Sequence, residues 1–163
     1  MKALVVYDSV FGNTEKIALA VGNSLGPKEN IATLRVGDVK PDHLNALELL
    51  IVGSPTRAFR PTKAVDDFLN GIPSNGLKGV KVAAFDTRIS TADVRSSFLR
   101  AVLSVMVRLF GYAAKPIADK LGKKGGSLIA PPEGFFVKDS EGPLKEGELE
   151  RAAKWARQVT GAL

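Results

Sequence analysis

The sequence contains no cysteine and only one histidine, His43. Without cysteine the chain can form no disulfide, thiolate metal site, iron–sulfur ligation or cysteine nucleophile. His43 lies in the polar segment KPDHLN, so we expect a surface side chain with no metal or acid–base role. A chain without cysteine is compatible with a reducing compartment. Because the short apolar start MKALVVYD does not have the pattern of a signal peptide, we expect a cytoplasmic protein.

Long apolar runs are also absent from the sequence. No window of about 18 residues, the length that a membrane-spanning helix needs, is free of polar side chains. We therefore predict no membrane span. The 163 residues, of which 45% are apolar and 25% are charged, fit one globular domain covering residues 1–163.

The formal net charge of +6 is unevenly distributed along the chain. Residues 88–124 contain eight basic and two acidic side chains, so this segment accounts for the whole excess. A basic surface can attract nucleic acid, anionic lipid or an acidic partner, although it can also be a solvated face with no partner. We expect no nucleic-acid partner, because no nucleic-acid-binding motif accompanies the basic segment.

Apolar runs alternate with segments of helical periodicity along most of the chain. This alternation predicts an α/β fold, in which a five-stranded parallel sheet carries helices on both faces. Ligands of such sheets bind at the carboxyl ends of the strands. The strands are predicted at 2–8, 30–36, 47–55, 80–86 and 127–131. The helices are predicted at 13–25, at 62–69, at about 91–124 with a break at Gly111, and at 146–159. The candidate ligand loops are 9–14, 54–62 and 87–91, and a further loop is predicted at 130–150.

The loop after the first predicted strand, residues 9–14, is rich in hydrogen-bond donors. Ser9, Asn13 and Thr14 supply side-chain donors, and Gly12 permits close approach of the backbone. The helix that follows begins with unpaired N–H groups and a partial positive charge, which suit a phosphate. The loop has neither of the glycine patterns GxxxxGK[ST] and GxGxxG that mark triphosphate and dinucleotide sites. Alternatively, Asn13 and Thr14 only cap the helix.

The segment VVYDSVFGNTEKIA, residues 5–18, resembles the flavodoxin signature. That signature is an apolar pair, an aromatic residue, Ser or Thr, Gly-x-Thr, and then Ala and an aliphatic residue. GSPTRAF (53–59) and FDTR (85–88) resemble the second and third flavin-binding loops of the family. The resemblance extends over nearly the whole chain and implies a flavodoxin-like three-layer sandwich. The matching signature residues are Val5, Val6, Tyr7, Ser9, Gly12, Thr14, Ala18 and Val21.

By this resemblance, the three loops would bind FMN noncovalently. Loop 9–14 would hold the 5′-phosphate with hydroxyl and N–H groups instead of cations, and the other two loops would surround the flavin ring. Phe11 stands where many flavodoxins have threonine, and Arg88 or Ile89 takes the place of the family's usual stacking tyrosine. The resemblance implies no catalytic residue and no metal ligand. The implied cofactor-binding residues are Ser9, Val10, Phe11, Gly12, Asn13, Thr14, Pro55, Thr56, Arg57, Ala58, Phe59, Asp86, Thr87 and Arg88.

A protein of this kind is expected to carry electrons between redox partner proteins. An FMN-dependent oxidoreductase acting on a quinone- or porphyrin-like small molecule is one alternative, and a flavin-free interaction domain is another. Arg57, Arg60 and Arg88 lie in or beside the expected ring loops. Cations there would stabilise the anionic reduced flavin, which predicts a less negative reduction potential than that of an acidic flavodoxin. Arginines that point to solvent would have little effect.

The helical segment 92–110 is longer and more apolar than a short connection after the fourth strand requires. A helix packed on one sheet face needs an apolar arc of roughly 100°, whereas this segment has a wider one. The surplus indicates a second contact, and we expect a homodimer through this helix. A lid near the flavin, peripheral membrane contact and burial by other core residues are the alternatives. The two apolar stripes are Phe98, Val102, Val105 and Leu109, and Leu99, Leu103, Met106 and Phe110; the polar stripe is Arg100, Ser104 and Arg108.

Overall fold

A computed structural model of the chain describes residues 1–161, apart from the side chains of residues 28 and 110. The second of these is the Phe110 of the predicted apolar stripe, so its side chain lies outside the described part. The strands are β1 (Ala3–Tyr7), β2 (Ile31–Arg35), β3 (Leu49–Pro55), β4 (Lys81–Ile89), β5 (Ser127–Leu128) and β6 (Glu133–Val137). The helices are α1 (Asn13–Ser24), α2 (Lys63–Gly71), α3 (Ser97–Phe110), α4 (Ala114–Lys123) and α5 (Glu148–Gly161).

The strands form one parallel sheet in the order β2-β1-β3-β4-β5, and β6 also pairs with β4. The short strand β5 pairs with the first residues of β4, and β6 pairs with its last five residues, Phe85 to Ile89. The strands β5 and β6 are therefore two halves of one edge position. The predicted five-stranded parallel sheet is confirmed, with its fifth position divided in two.

The prediction for the last edge strand was wrong in its extent. Regular pairing was expected over 127–131, but β5 ends at Leu128, and a strand resumes at Glu133 in the segment predicted to be a loop. Pro131 and Pro132 lie in the interruption, where they have no N–H group to donate to β4. The second half of the edge strand matters for function because it continues along β4 to the carboxyl end of the sheet.

Two apolar layers flank the sheet, because alternate strand residues point to opposite faces. On one face, Phe85, Phe135 and Trp155 form a triangle of edge-to-face rings with centroids 5.9–6.1 Å apart, and α1 and α5 cover it. On the other face, α2 and α4 cover the inward side chains of β1, β3 and β4. The predicted three-layer sandwich is therefore confirmed.

The helix α3 belongs to neither layer. It begins after Ser96, whose hydroxyl accepts a hydrogen bond from the Leu99 N–H group, and it ends at Gly111, whose φ of +71° suits glycine. The predicted break at Gly111 is confirmed. The first predicted stripe, which includes Phe98 and Leu109, faces solvent, while Leu103 on the second stripe is partly buried. Within the described chain, no other core residues cover the outer stripe.

By length and composition alone, the stretch Ser97–Lys123 could cross a membrane. The structure divides this stretch at Gly111 and commits its second half, α4, to the core through Ile117 and Leu121. A single stretch of this kind is weak evidence for a span. The expectation that no segment crosses a membrane therefore stays a prediction.

Candidate functional site

A cleft of about 420 Å³ lies at the carboxyl ends of β1, β3 and β4. This is the edge of the sheet at which open parallel sheets bind ligands. All three predicted loops contribute to its walls, and the loop after β6 adds a fourth side. Among the described residues that line the cleft, one is cationic and none is acidic. They are Val10, Phe11, Asn13, Thr14, Pro55, Thr56, Arg57, Ala58, Thr87, Ile89, Val137 and Ser140.

The turn 9–14 is closed by its own serine. The Gly12 N–H group donates to Ser9 Oγ at 3.0 Å, and Gly12 has a φ of +85°, which glycine adopts without strain. Gly12 is also the cap residue of α1, and no side chain caps this helix. The first intrahelical bond runs from the Lys16 N–H group to the Gly12 carbonyl. The expected alternative, in which Asn13 or Thr14 merely caps the helix, is therefore not what the structure has.

Asn13 connects the turn to the chain segment after β6. Its Nδ2 group donates to the Glu141 carbonyl at 3.0 Å, and its side chain is buried. The side-chain amide is therefore already engaged within the protein. Asn13 still lines the cleft, so its backbone N–H group at the start of α1 is the donor that it can offer to a ligand.

Thr14 and Thr87 join the first loop to the third. Their hydroxyl oxygens are 2.8 Å apart, both residues are buried, and both line the cleft. Either hydroxyl can donate to the other. Since each carries one proton, the pair keeps one further proton and several lone pairs for a third group. This pair is the most buried polar element of the cleft wall.

The second loop is a tight turn in which two residues other than glycine adopt the left-handed backbone conformation. Ala58 has a φ of 45° and Phe59 a φ of 67°, and the turn is closed by reciprocal backbone hydrogen bonds between Arg57 and Arg60 of 2.9 and 3.0 Å. Left-handed residues at both central positions are typical of a type I′ turn, which normally favours Asn and Gly. The turn directs Arg57 across the cleft, where its guanidinium carbon lies 5.6 Å from the centre of the Phe11 ring.

The third loop contains a buried ion pair that lies behind the cleft instead of within it. Arg88 Nε and Nη2 donate to the two Asp86 oxygens at 2.6 and 2.7 Å, and the Ala114 N–H group donates to Asp86 at 2.8 Å. The Arg88 guanidinium also stacks 3.8 Å from the centre of the Tyr112 ring. Burial raises the pKa of the Asp86 carboxyl above its ordinary value, and the hydrogen bonds and charge of Arg88 oppose that shift.

The expected contacts of Arg88, Asp86 and Phe59 with a flavin ring stay predictions, and the structure shows where each of these side chains lies. The charge of Arg88 is directed to Asp86, and Arg88 lines a cavity that adjoins the cleft, whereas Asp86 lines neither. Phe59, which was expected to cover a ring face, lines the same adjoining cavity. The Asp86 carboxylate is buried and fastens the start of α4 to β4.

The neighbouring cavity, of about 240 Å³, adjoins the cleft and shares Thr56, Ala58 and Ile89 with it. Leu103 and Val107, on the inner side of α3, form its far wall. Its walls are mostly apolar. The extra helix therefore contributes to a cavity beside the cleft as well as presenting an outer face to solvent.

Sequence reasoning missed three residues that shape the cleft. Val137 and Ser140 line it because β6 continues to this end of the sheet. Arg35 supports the turn 9–14 from β2, where its Nη2 group donates to the Ser9 carbonyl at 2.6 Å. The pairing of β1 with β2 places Arg35 beside Tyr7, so an alignment of the two predicted strands could have indicated it.

Solved structures of flavodoxins match this chain over its whole length. An archaeal flavodoxin is 26% identical and superposes with a TM-score of 0.75, covering 99% of this chain and 97% of its own. Flavodoxin 1 from Bacillus cereus is 16% identical with a TM-score of 0.73, covering 100% and 99%. A rubredoxin oxygen:oxidoreductase from Desulfovibrio gigas is 20% identical with a TM-score of 0.71, covering 99% of this chain and 35% of its own. No protein-family model and no curated protein matches the chain.

The chain is therefore flavodoxin-like, and its sheet order and layers are those of the flavodoxin fold. The likeness to the oxidoreductase shows that the same fold also occurs as about a third of a longer protein.

Proposed function

We propose that the chain binds FMN noncovalently in the cleft and carries electrons between redox partner proteins. The observation that carries the proposal is the convergence of the hydroxyl-rich turn 9–14 with two further loops around one cleft of about 420 Å³. This volume lies within the range of small-molecule sites. The likeness to flavodoxins over the whole chain supports the same assignment. When bound, FMN supplies the redox chemistry.

The start of α1 and the turn before it would hold the phosphate. The backbone N–H groups of Asn13 and Thr14 precede the first intrahelical bond, and the partial positive charge of the helix start favours an anion. The Thr14–Thr87 pair supplies a buried hydroxyl donor beside them. Arg57, which reaches over Phe11 from the second loop, is the nearest cation in the cleft wall and would add a screened attraction.

The second and third loops would hold the flavin ring. Pro55, Ile89 and Val137 offer apolar wall, as a planar aromatic ligand requires. The Thr56 hydroxyl accepts a hydrogen bond from the Ala113 N–H group at 3.0 Å, so the chain fixes the orientation of this polar group. Asp86 and Arg88 would act as positioning residues, because they fix the end of β4 and the start of α4 without entering the cleft.

A second candidate function is an FMN-dependent oxidoreductase acting on a small molecule. The observation that favours it is the mostly apolar cavity of about 240 Å³ between the ring loops and α3, which adjoins the cleft. Of the two substrate classes expected from the sequence, the smaller quinone-like molecule suits this volume better than a porphyrin-like one.

The visible spectrum of the purified protein with added FMN, followed by stepwise reduction, tests the proposal. Bound flavin that takes up electrons in two separate one-electron steps supports a carrier. Bound flavin that takes up both electrons in one step, with oxidation by an added quinone, supports the oxidoreductase. Failure to bind FMN at saturating concentration contradicts both and leaves a flavin-free interaction domain. A cytoplasmic location remains part of the proposal.

A further inference from the structure

The outer face of α3 is the most extensive exposed apolar surface on a helix of this chain, within the residues that the structure describes. Phe98 is 80% exposed, Leu109 is 69% exposed and Val105 is 55% exposed, and Val102 lies between them on the same side. These four residues are spaced by three and four positions, so they form one stripe along the helix. Apolar patches of this kind mark sites of contact with a partner or a membrane.

The charged residues of the segment that contains this stripe are all arginines. Arg95, Arg100 and Arg108 lie in residues 94–113, and this segment contains no Asp or Glu. Arg100 donates to the Val94 carbonyl at 2.9 and 3.2 Å and keeps its charge. None of the three forms an ion pair with a described side chain. The acidic residue just before the segment, Asp93, is paired with Lys145.

We propose that α3 docks on the surface of a lipid bilayer that contains anionic phospholipid. The stripe from Phe98 to Leu109 enters the boundary between headgroups and acyl chains, and Arg95 and Arg108 contact the phosphate groups, while Arg100 lies on the other side of α3, where it binds the Val94 carbonyl. An apolar stripe flanked by cations on a short helix is the pattern of a helix that lies in the membrane interface. The inference is independent of FMN, because none of these residues lines the cleft.

Charge decides between a bilayer and a second copy of this chain. A symmetrical dimer places the same patch of each subunit in contact with itself. A contact through the stripe would bring Arg95 and Arg108 of both subunits together without an acidic residue from the same segment to pair with them. Like charges placed opposite each other weaken association. An anionic lipid surface satisfies the apolar stripe and the cations together.

Flotation of the full chain with lipid vesicles tests the proposal. We expect binding to phosphatidylcholine vesicles that contain about one third phosphatidylglycerol, and binding at least about ten-fold weaker to pure phosphatidylcholine. The double variant Phe98→Ser/Leu109→Ser is expected to lower the affinity on the order of a hundred-fold. Its matched control is Leu19→Ser/Leu149→Ser, which changes leucines that are 45% and 43% exposed on α1 and α5, and which we expect to bind normally.

A second pair of variants separates the charge from the apolar stripe. Arg95→Gln/Arg108→Gln is expected to lower binding to the anionic vesicles by roughly 25-fold, about five-fold per arginine, with little change on pure phosphatidylcholine. Lys154→Gln/Arg157→Gln removes the same charge from the exposed side of α5 and is the matched control. Circular dichroism checks that each variant folds, which we expect because all of the changed side chains are at least partly exposed.

Three results would overturn the proposal. The first is no binding of the full chain to either kind of vesicle. The second is an equal loss of binding in the two control variants, Leu19→Ser/Leu149→Ser and Lys154→Gln/Arg157→Gln, which would show that any exposed leucine or surface charge suffices. The third is a chain that does not bind vesicles but forms a dimer in analytical ultracentrifugation, which Phe98→Ser/Leu109→Ser dissociates. That result would assign the stripe to contact with a second copy of the chain. Normal FMN binding by the α3 variants would show that docking and the cleft are separate.

Discussion

The hydroxyl oxygens of Thr14 and Thr87 lie 2.8 Å apart and connect the start of α1 to the end of β4. The two residues are 73 positions apart in the chain, and the bond is buried in the wall of the cleft. It joins the loop proposed for a phosphate to a loop proposed for a flavin ring. A change in either hydroxyl should therefore affect both the ligand and the other loop.

Thr14→Val should weaken FMN binding by about 1–3 kcal/mol, because it removes a hydroxyl and leaves the Thr87 hydroxyl without its buried partner. Thr14→Ser should retain most of the affinity. A flavin titration followed by fluorescence measures both effects, with Thr160→Val, on the last turn of α5, as the control. The double variant Thr14→Val/Thr87→Val should lose less than the sum of the two single losses, since the residues are in contact. Unchanged affinity in Thr14→Val would exclude Thr14 as a ligand.

Arg57→Gln should make the reduction potential of bound FMN more negative by roughly a few tens of millivolts, because an exposed cation gives a screened stabilisation of the reduced anion. Arg60→Gln is the matched control, since Arg60 closes the same turn through its backbone but does not line the cleft. Potentiometric titration of both variants measures the shift. Equal reduction potentials in the wild-type protein and Arg57→Gln would show that the charge of Arg57 does not stabilise the reduced flavin.

The ion pair of Asp86 and Arg88 predicts a specific dependence of stability on pH. Burial raises the pKa of Asp86 in the folded protein, so the folded state binds the proton more strongly than the unfolded chain does. Stability must then decrease as the pH rises from the ordinary value of 3.8 through the raised folded value. Asp86→Asn removes this titration, so urea unfolding should show the wild-type protein losing stability relative to the variant over that range.

Asp67→Asn is the control for this measurement, because Asp67 forms only an exposed ion pair with Lys63. Its effect on the free energy of unfolding should stay within about 1 kcal/mol at every pH. If the wild-type protein instead gains stability over Asp86→Asn as the pH rises, the Arg88 charge outweighs the burial of Asp86.

Ala58→Gly should stabilise the protein by about 1 kcal/mol, because glycine adopts the left-handed backbone of this position without steric cost. The opposite sign is expected for Ala101→Gly, which lowers stability by about 1 kcal/mol in the exposed helix α3. Chemical unfolding of the two variants gives the comparison. A loss of stability in Ala58→Gly would show that contacts of the Ala58 side chain stabilise the turn by more than the left-handed backbone conformation costs.

The arrangement of strands and helices followed from patterns that are local in the sequence. Apolar runs located the strands around Val5, Ile51 and Ala83, and alternation with helices implied the parallel order and the edge at which the loops meet. The strand β6 was missed because Glu133 and Gly134 interrupt its apolar run and two prolines precede it. What makes it a strand is the length of β4, which offers unpaired backbone groups as far as Ile89.

The loops that form the site could be predicted from the sequence, but the contacts that their side chains make could not. Arg88 and Thr87 are neighbours in the sequence, yet Thr87 lines the cleft while Arg88 turns behind it to Asp86 and Tyr112. Asn13 looked like a ligand or a cap, and its amide instead binds the carbonyl of Glu141. These choices depend on contacts between distant segments, which periodicity and spacing along the chain do not report.

The proposed FMN site depends above all on the start of α1, which would bind the phosphate. The most direct measurement is a titration of the full chain, in phosphate-free buffer, with FMN and separately with riboflavin, which differs only by lacking the phosphate. We expect saturable one-to-one binding of FMN, at least about ten-fold tighter than binding of riboflavin, with competition by inorganic phosphate. Equal affinity for the two flavins, or no binding of either, would contradict it.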